Sequence, residues 1–210
     1  ANRFRPDSAA NFIGGRKVEG RGRVFEVLRP SDAVVLAPLL AADVAQLDEA
    51  VANAAAAQKR SGWGTMEPRG RMRLLRRWAE LIERNADWLA PLEAVGPTRT
   101  LAEIRAWDIP YTAECIRFFA EFADKHGGEV GATTPDKLGF TLTEPYGVVA
   151  AIAPWNLPLV MAAWKIAPAL AAGNAVLLKP SELTPFSVVR LAELAIEAGV
   201  PAGIFNIVQG

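Results

Sequence analysis

The spacing of the apolar positions changes twice along the chain and divides it into three zones. Between residues 10 and 40, short apolar runs such as 24–28 are separated by glycines, which predicts an opening strand pair or hairpin. Between residues 43 and 125, apolar residues recur every three or four positions, which indicates helices. Beyond residue 138, continuous apolar runs alternate with helical segments. The pattern therefore predicts a helical segment between two regions that contain strands.

The middle zone carries start and stop signals for several helices. Asp43 with Gln46 resembles a capping box, and an apolar series at helical spacing follows it. Pro68 opens a second helix. A break at Gly96 comes next, Thr98 is placed to cap the following helix, and Pro110 is predicted to break or kink the chain again. The two apolar series are Val44, Leu47, Val51 and Ala54 in the first helix, and Met72, Leu75, Trp78 and Ile82 in the second.

The only cysteine and the only histidine lie at the end of this helical zone. Cys115 shares a helix face with Phe119 and Phe122, so we interpret it as a buried packing residue. His126 precedes two glycines at an apparent helix end, which favours a capping or solvated role. A catalytic triad or a His/Cys metal site is thus not expected, and we assign no metal.

The third zone predicts a parallel sheet. Residues 138–144 alternate like an exposed strand, whereas residues 147–153, 174–178 and 204–208 are continuous apolar runs, typical of strands buried on both faces. Helical segments separate these runs. One spans about 158–172, and the other is capped by Thr184, opened by Pro185 and closed by Gly199. A βαβαβ order predicts an α/β fold with a doubly wound, Rossmann-like sheet and flanking helices.

Composition narrows the function classes. The 210 residues carry 23 basic and 23 acidic side chains, so the basic excess of a nucleic-acid-binding protein is missing. Every apolar run is interrupted before the ~18 residues of a membrane helix, and the first eight residues do not resemble a secretory signal. A single cysteine rules out an intrachain disulfide and fits a reducing compartment. We expect a cytoplasmic protein without nucleic-acid or membrane partners.

Polar residues follow the first two buried strands, where an open parallel sheet binds its ligands. Asn156 follows the first strand, and Lys179 and Glu182 end the second. Simpler roles remain open, because Asn156 could cap the next helix and the Lys179–Glu182 pair could be solvated. Lys165, the only charged residue between Glu144 and Lys179, either has a buried partner or reaches water. No G-x-G-x-x-G motif is present.

Five segments of the last third resemble the aldehyde dehydrogenase superfamily. Their register is continuous over more than sixty residues. They read EPYGVVAAIAPWNLPL at 144–159, AWKIAPALAAGN at 163–174, KPSELTP at 179–185, EAGVPAG at 197–203 and FNIVQG at 205–210. The family binds its dinucleotide without the usual glycine motif, so the resemblance accounts for the absence of that motif.

The resemblance implies a role for each matched position. Asn156 would stabilise the oxyanion of a thiohemiacetal, and Lys165 would belong to a proton-relay or charge network. NAD is the implied cofactor, with NADP as the alternative. The cofactor-binding residues would be Ile152, Ala153, Pro154 and Trp155 along the cleft, and Lys179, Pro180, Ser181 and Glu182 near the adenosine ribose.

The resemblance also implies a layout and an activity. Residues 1–42 would form N-terminal strands, 43–126 the helical part of the cofactor domain, 127–146 an oligomerisation hairpin and 147–210 the first βαβαβ half of the dinucleotide domain. The implied reaction oxidises a small-molecule aldehyde to a carboxylic acid through a cysteine thiohemiacetal and thioester. A homodimer or homotetramer is expected.

The sequence departs from the family in length. Family members are more than twice as long, and their nucleophilic cysteine and general-base glutamate lie beyond the position matching Gly210. We therefore expect an amino-terminal portion that is inactive alone. Residues 93–98 match the family only roughly, and Leu157 replaces a commoner aromatic residue. Two alternatives stay open: a pseudoenzyme that serves as a nucleotide-binding or interaction module, and an acylating enzyme that uses coenzyme A.

Overall fold

The computed structural model describes residues 9–96 and 99–210. Within these ranges the strands are β1 (Asn11–Ile13), β2 (Arg16–Val18), β3 (Val24–Leu28), β4 (Val35–Leu40), β5 (Val130–Gly131), β6 (Gly139–Phe140), β7 (Val148–Ile152), β8 (Ala175–Lys179) and β9 (Phe205–Ile207). The helices are α1 (Val44–Arg60), α2 (Pro68–Arg84), α3 (Ala86–Glu93), α4 (Leu101–Glu103), a π-helix (Ile104–Asp108), α5 (Ile109–Phe122), α6 (Pro158–Ala171) and α7 (Phe186–Ala198).

The main sheet has the strand order β2-β1-β9-β8-β7. Strands β7, β8 and β9 are parallel and are connected through α6 and α7, which confirms the predicted βαβαβ unit. Both connections step along the sheet in the same direction, so right-handed crossovers place both helices on one face. The sheet is mixed, however, because β1 pairs antiparallel with β9 and carries β2 beside it. The opening hairpin is thus part of the main sheet, while β3 and β4 form a separate ribbon.

Both faces of β8 are covered, as expected for a parallel strand. Leu177 packs in one cluster with Ala50 of α1 and with Val208. Its neighbours Val176 and Leu178 belong to the main core. Strand β7 differs from the prediction, because it lies at the sheet edge and its Ile152 side chain is 70% exposed. Of the five residues of β7 only Ala151 is buried, so this apolar run does not correspond to burial on both faces.

Helix α1 has its predicted position, but of its predicted apolar series only Ala54 is buried. Val44, Leu47 and Val51 are exposed, and the buried positions are Gln46, Ala50, Ala54 and Ala57. Alanines let the helix axis approach the sheet closely, and the larger residues are therefore turned outward. Asp43 caps the helix by accepting from the Gln46 amide at 2.7 Å. The Gln46 side chain does not complete a capping box; it donates to the carbonyl oxygen of Glu19 at 2.9 Å.

The stripe of α2 is confirmed, since Leu75, Trp78 and Ile82 are fully buried and Met72 packs against the same core. Cys115 is buried as predicted, whereas Phe122, expected on the same face, is half exposed. Of the two outcomes predicted for Pro110, a break in the helix does not occur. Pro110 is the second residue of α5, which continues directly from the π-helix.

Four smaller predictions have different outcomes. Thr98 lies outside the described residues; the capping box there is formed by Thr100 and Glu103. Thr184 does not cap α7, because the residue at that position is Pro185 and the buried Thr184 hydroxyl has no hydrogen-bond partner among the described residues. Gly199 ends α7 in the left-handed conformation, as predicted. The alternating segment 138–144 contributes only the two residues of β6 to a ribbon with β5.

Candidate active site and cofactor cleft

The ends of β7 and β8 lie side by side. Ile152 is the ladder partner of Lys179, and the amide of Ala153 donates to the Lys179 carbonyl oxygen at 3.0 Å. The two segments identified from the sequence, one beginning at Ile152 and one at Lys179, therefore leave the same edge of the sheet together. This edge is the carboxyl end of the parallel strands, where such folds bind ligands.

An apolar cleft of about 310 Å³ runs along this edge. Ile152 and Lys179 both contribute to its wall. Of the four residues predicted to line a cofactor cleft, Ala153 is buried, while Ile152, Pro154 and Trp155 are exposed and available to a ligand. The remaining wall comes from α1 and the strand ends: Ala42, Asp43, Val44, Leu47, Ala150, Ala151, Leu177, Val208, Gln209 and Gly210.

The turn after β8 holds its polar groups in place. Nζ of Lys179 lies 3.5 Å from Oε2 of Glu182, and both side chains are partly exposed. The buried Ser181 accepts from the Leu183 amide at 3.2 Å, and Pro180 is buried beside it. A hydrogen bond from the backbone amide of Glu182 lowers the pKa of its carboxyl, and the charge of Lys179 acts in the same direction. Glu182 is therefore an anion at neutral pH.

These residues fit half of a dinucleotide. An apolar cleft suits a planar base, and the pair at its end offers one charged donor, Lys179, and one charged acceptor, Glu182, to ribose hydroxyls. The same pair is also the solvated ion pair that the sequence left open as the simpler interpretation. The two roles are compatible, because the pair is accessible to a ligand as well as to water.

Asn156 lies in the bend between β7 and α6 and is exposed. It does not cap α6, because the N-cap position is Leu157 and no side chain of that residue can accept a hydrogen bond. The amide of Leu159 is bound instead by Oε1 of Glu93, at 3.0 Å. The capping interpretation of Asn156 is therefore wrong, and its carboxamide is free to face a ligand.

Lys165 lies on α6, about 10 Å along the helix axis from Pro158 at 1.5 Å per residue. It is half-buried, and within residues 9–96 and 99–210 no ion pair or hydrogen bond of its ammonium group is found. The structure thus does not bring Lys165 into contact with Asn156. A side chain that reaches water is the arrangement that fits this lysine.

Two groups near this edge were missed by the sequence interpretation. Glu93 is buried beneath the start of α6, and Asp108, buried in the π-helix, forms a two-pronged ion pair with Arg99 at 2.8 and 2.9 Å. An aromatic series also runs from the π-helix through α5 to α6. Tyr111 stacks on Trp107, with ring centroids 4.9 Å apart, and its ring centroid lies 6.3 Å from that of Trp164. A glutamate within an apolar helix was the available signal for Glu93.

Neither the lone cysteine nor the lone histidine belongs to this site. Burial raises the pKa of the Cys115 thiol to about 11, so the group is neutral at physiological pH. His126 is exposed beyond the end of α5, as the solvated interpretation requires. The described residues contain no group of three or more His, Cys, Asp and Glu side chains placed to hold a metal ion. They also contain no helix with the length and hydropathy of a membrane span.

Comparison with known proteins identifies the family to which the chain belongs. Residues 17–210 match the aldehyde dehydrogenase family, and the chain belongs to that family. It is 40% identical over 200 residues to the NADP/NAD-dependent aldehyde dehydrogenase PuuC of Escherichia coli K12. The matched region covers 95% of this chain and 40% of PuuC. The chain therefore spans about two fifths of the length of that relative.

Solved structures agree with the fold. The apo form of an indole-3-acetaldehyde dehydrogenase superposes with a TM-score of 0.91 at 42% identity, covering 96% of this chain and 46% of that one. The P. syringae indole-3-acetaldehyde dehydrogenase AldA, solved as a mutant with NAD⁺ and IAA, gives a TM-score of 0.92 at 41% identity. That match covers 96% of this chain and 41% of AldA. The gamma-glutamyl-gamma-aminobutyraldehyde dehydrogenase of Burkholderia cenocepacia gives 0.91 at 44% identity, with 96% and 41% covered.

Proposed function

We propose that the protein containing this chain oxidises an aldehyde to a carboxylic acid, with NAD as the hydride acceptor and NADP as the alternative. One observation carries the proposal: the paired ends of β7 and β8 present Asn156 and the Lys179–Glu182 turn at one edge of the sheet. Family membership and relatives named as aldehyde dehydrogenases support the same activity.

The chemistry assigned to this chain centres on Asn156. In the proposed reaction a cysteine thiolate forms a bond to the aldehyde carbon, and the carbonyl π-electrons move to oxygen. The nucleophile is a cysteine other than Cys115, because that thiol is buried and protonated. Nδ2 of Asn156 donates to the developing oxyanion. Because the amide is neutral, it stabilises the developing charge without holding the carbonyl of the unreacted aldehyde in a salt bridge.

The oxyanion then collapses, hydride leaves the carbon and a thioester remains. The bound cofactor supplies the hydride acceptor. Water then cleaves the thioester, which yields the carboxylic acid and restores the thiol. For this chain we propose that Ile152, Ala153, Pro154 and Trp155 shape one wall of the cofactor site.

The polar groups have separate roles in the proposal. Glu182 accepts from the ribose hydroxyls, and Lys179 donates to them. Pro180 and Ser181 hold the turn that carries both residues. Lys165 belongs to a charge or proton-relay network at the active site, and its half-buried position on α6 keeps its ammonium close to water.

The proposal extends to organisation and location. Residues 1–42, 43–126, 127–146 and 147–210 are proposed as the N-terminal strands, helical part, oligomerisation hairpin and first half of the dinucleotide domain. In the third segment Val130, Leu138, Phe140 and Leu142 are exposed, which suits contact between subunits of a homodimer or homotetramer. Light scattering on the full-length protein measures that state. A cytoplasmic location is proposed from the single, buried thiol.

The test is the formation of NADH or NADPH by the full-length protein with aliphatic and aromatic aldehydes. Activity that depends on a cysteine other than Cys115 and yields the free acid supports the proposal. Activity that requires coenzyme A and yields an acyl thioester supports the acylating alternative. Cofactor binding without turnover of any aldehyde supports the pseudoenzyme alternative.

A further inference from the structure

Glu93 is a buried carboxylic acid at the junction of three helices. It is the last residue of α3, its exposure is only 1%, and it contacts the start of α6 and Ser187 of α7. Burying a carboxyl group is costly unless the group has a specific partner. The position therefore requires an explanation beyond packing, and an apolar residue of similar size would fill the same volume.

The partner of Glu93 is the first turn of α6. Pro158 begins that helix and has no amide hydrogen, so Leu159 provides the first free donor. Oε1 of Glu93 accepts from this amide at 3.0 Å. A helix is normally capped by the residue that precedes it, but Leu157 has no side-chain acceptor. Glu93 thus supplies the missing cap from a different helix, across 66 positions of sequence.

This cap fixes the segment that carries Asn156. Only Leu157 and Pro158 separate Asn156 from the bonded amide, and the strand on the other side is fixed by its ladder with β8. Asn156 itself has no hydrogen bond among the described residues that would hold its backbone. The bend is therefore held by the β7–β8 ladder before Asn156. After Asn156 it is held by the Leu157 carbonyl, which accepts from the Met161 amide within the helix, and by the bond from the Leu159 amide to Glu93.

We infer that Glu93 is a positioning residue that anchors the start of α6 and thereby sets the orientation of Asn156 towards the oxyanion. The inference rests on the proposed role of Asn156. Glu93 does not contact the substrate, because its carboxyl group is enclosed by protein. A displacement of about 1 Å in a catalytic group reduces turnover by up to about 10²-fold, so a positioning residue acts mainly on kcat.

A matched pair of substitutions at Glu93 in the full-length protein tests the inference. Glu93→Gln retains an acceptor oxygen for the Leu159 amide, whereas Glu93→Met retains the volume and removes the acceptor. Hydrogen exchange is measured at Leu159 and at Met161, whose amide bonds to the Leu157 carbonyl oxygen within the helix. We expect faster exchange at Leu159 in Glu93→Met, unchanged exchange at Met161, and protection close to wild type in Glu93→Gln.

The kinetic expectation is a split between kcat and KM. Glu93→Met should lower kcat by about 10- to 100-fold and leave the KM for the cofactor within about twofold. Glu93→Gln should retain most of the turnover. In the background of Asn156→Ala, Glu93→Met should have no further effect on kcat, because its influence acts through Asn156. Independent, multiplicative losses in that double variant would overturn the inference.

The outcomes separate this inference from the proposed function. If Asn156→Ala retains full turnover, the role of Asn156 is wrong, and exchange at Leu159 alone decides whether Glu93 anchors α6. If Asn156→Ala loses turnover but Glu93→Met does not, Glu93 is not a positioning residue. Should Glu93→Met fail to fold, Glu93→Gln decides: a loss of turnover above tenfold with Leu159 still protected would refute the inference.

Discussion

Nζ of Lys179 and Oε2 of Glu182 are 3.5 Å apart at the end of β8, where both remain accessible to a ligand. The carboxylate repels a 2′-phosphate and accepts from free ribose hydroxyls, so the full-length protein should prefer NAD to NADP. Glu182→Gln removes the charge and should narrow the ratio of kcat/KM for the two cofactors by about tenfold. Steady-state kinetics with both cofactors measure this ratio, and an equal preference unchanged by the substitution would contradict the assignment.

Asn156→Ala removes the proposed oxyanion donor. Because one such donor is typically worth about 10²–10³ in turnover, we expect kcat in the full-length protein to fall by that factor, with the fold and cofactor binding nearly unchanged. Asn156→Asp should be no better, since a carboxylate repels the oxyanion. Turnover is compared with thermal unfolding of each variant. If Asn156→Ala unfolds at a lower temperature than wild type but its kcat stays within a few-fold of the wild-type value, Asn156 has a structural role instead.

Cys115→Ala tests the exclusion of the buried thiol from catalysis. The thiol is 8% exposed and its pKa is raised to about 11 by burial, so it does not supply a thiolate at neutral pH. We expect the 210-residue chain alone to be inactive, and turnover of the full-length protein to stay within about twofold in the variant. Cysteine-dependent NADH formation by the 210-residue chain with any aldehyde would disprove the exclusion.

Arg71 stabilises the fold through carbonyl groups rather than through a carboxylate. It is 6% exposed, and it donates to the carbonyl oxygens of Ala171 at 3.0 Å, Trp63 at 3.3 Å and Met66 at 2.5 Å. Arg71→Met leaves buried acceptors unpaired, and we expect a loss of about 2–4 kcal/mol in the free energy of unfolding. Denaturant unfolding measures it. The exposed Arg84 on the same helix is the control, and Arg84→Met should change stability by less than ~0.5 kcal/mol.

Glu93 should make stability depend on pH. Burial raises its pKa from 4.5 to about 7; the Leu159 amide, Ser187 and Arg99 oppose this rise and Asp108 adds to it. The folded state then binds a proton more tightly than the unfolded state. The protonated Glu93 therefore adds to the free energy of unfolding below pH 4.5, and this contribution is lost as the pH rises through about 7. The free energy of unfolding, measured from pH 5 to 8, should decline in the wild type and change less with pH in Glu93→Gln. Parallel pH curves for the two proteins would contradict this expectation.

The periodicity of apolar residues predicted most of the helices and the parallel strands, because the spacing of apolar residues indicates which side of a helix or strand is buried. It was wrong where small residues decide the packing. In α1 the alanines face the sheet and Val44, Leu47 and Val51 face outward. It also did not show that β7 lies at an edge, since strand order depends on partners distant in sequence.

The candidate site was predictable where its residues are contiguous. The resemblance identified Asn156 and the turn from Lys179 to Glu182 within two short segments, and the structure places those segments together. Glu93 was not found, because its contact with Leu159 joins positions 66 residues apart and no local pattern records it. The Arg99–Asp108 pair was missed for a similar reason, since the π-helix that buries Asp108 leaves no clear sequence signal.

The pairing of β1 with β9 constrains the order in which the chain assembles. Phe12 is the ladder partner of Ile207, Gln209 donates to Oδ1 of Asn11 at 2.7 Å, and Gly14 donates to Asn206 at 2.9 Å. Closing so long a loop has an entropic cost that only an otherwise formed sheet offsets. During synthesis the first strand emerges from the ribosome long before its partner exists. β1 can pair early with β2, its neighbour in sequence, but this hairpin cannot join the parallel strands until β9 emerges, so it is among the last parts to complete the sheet.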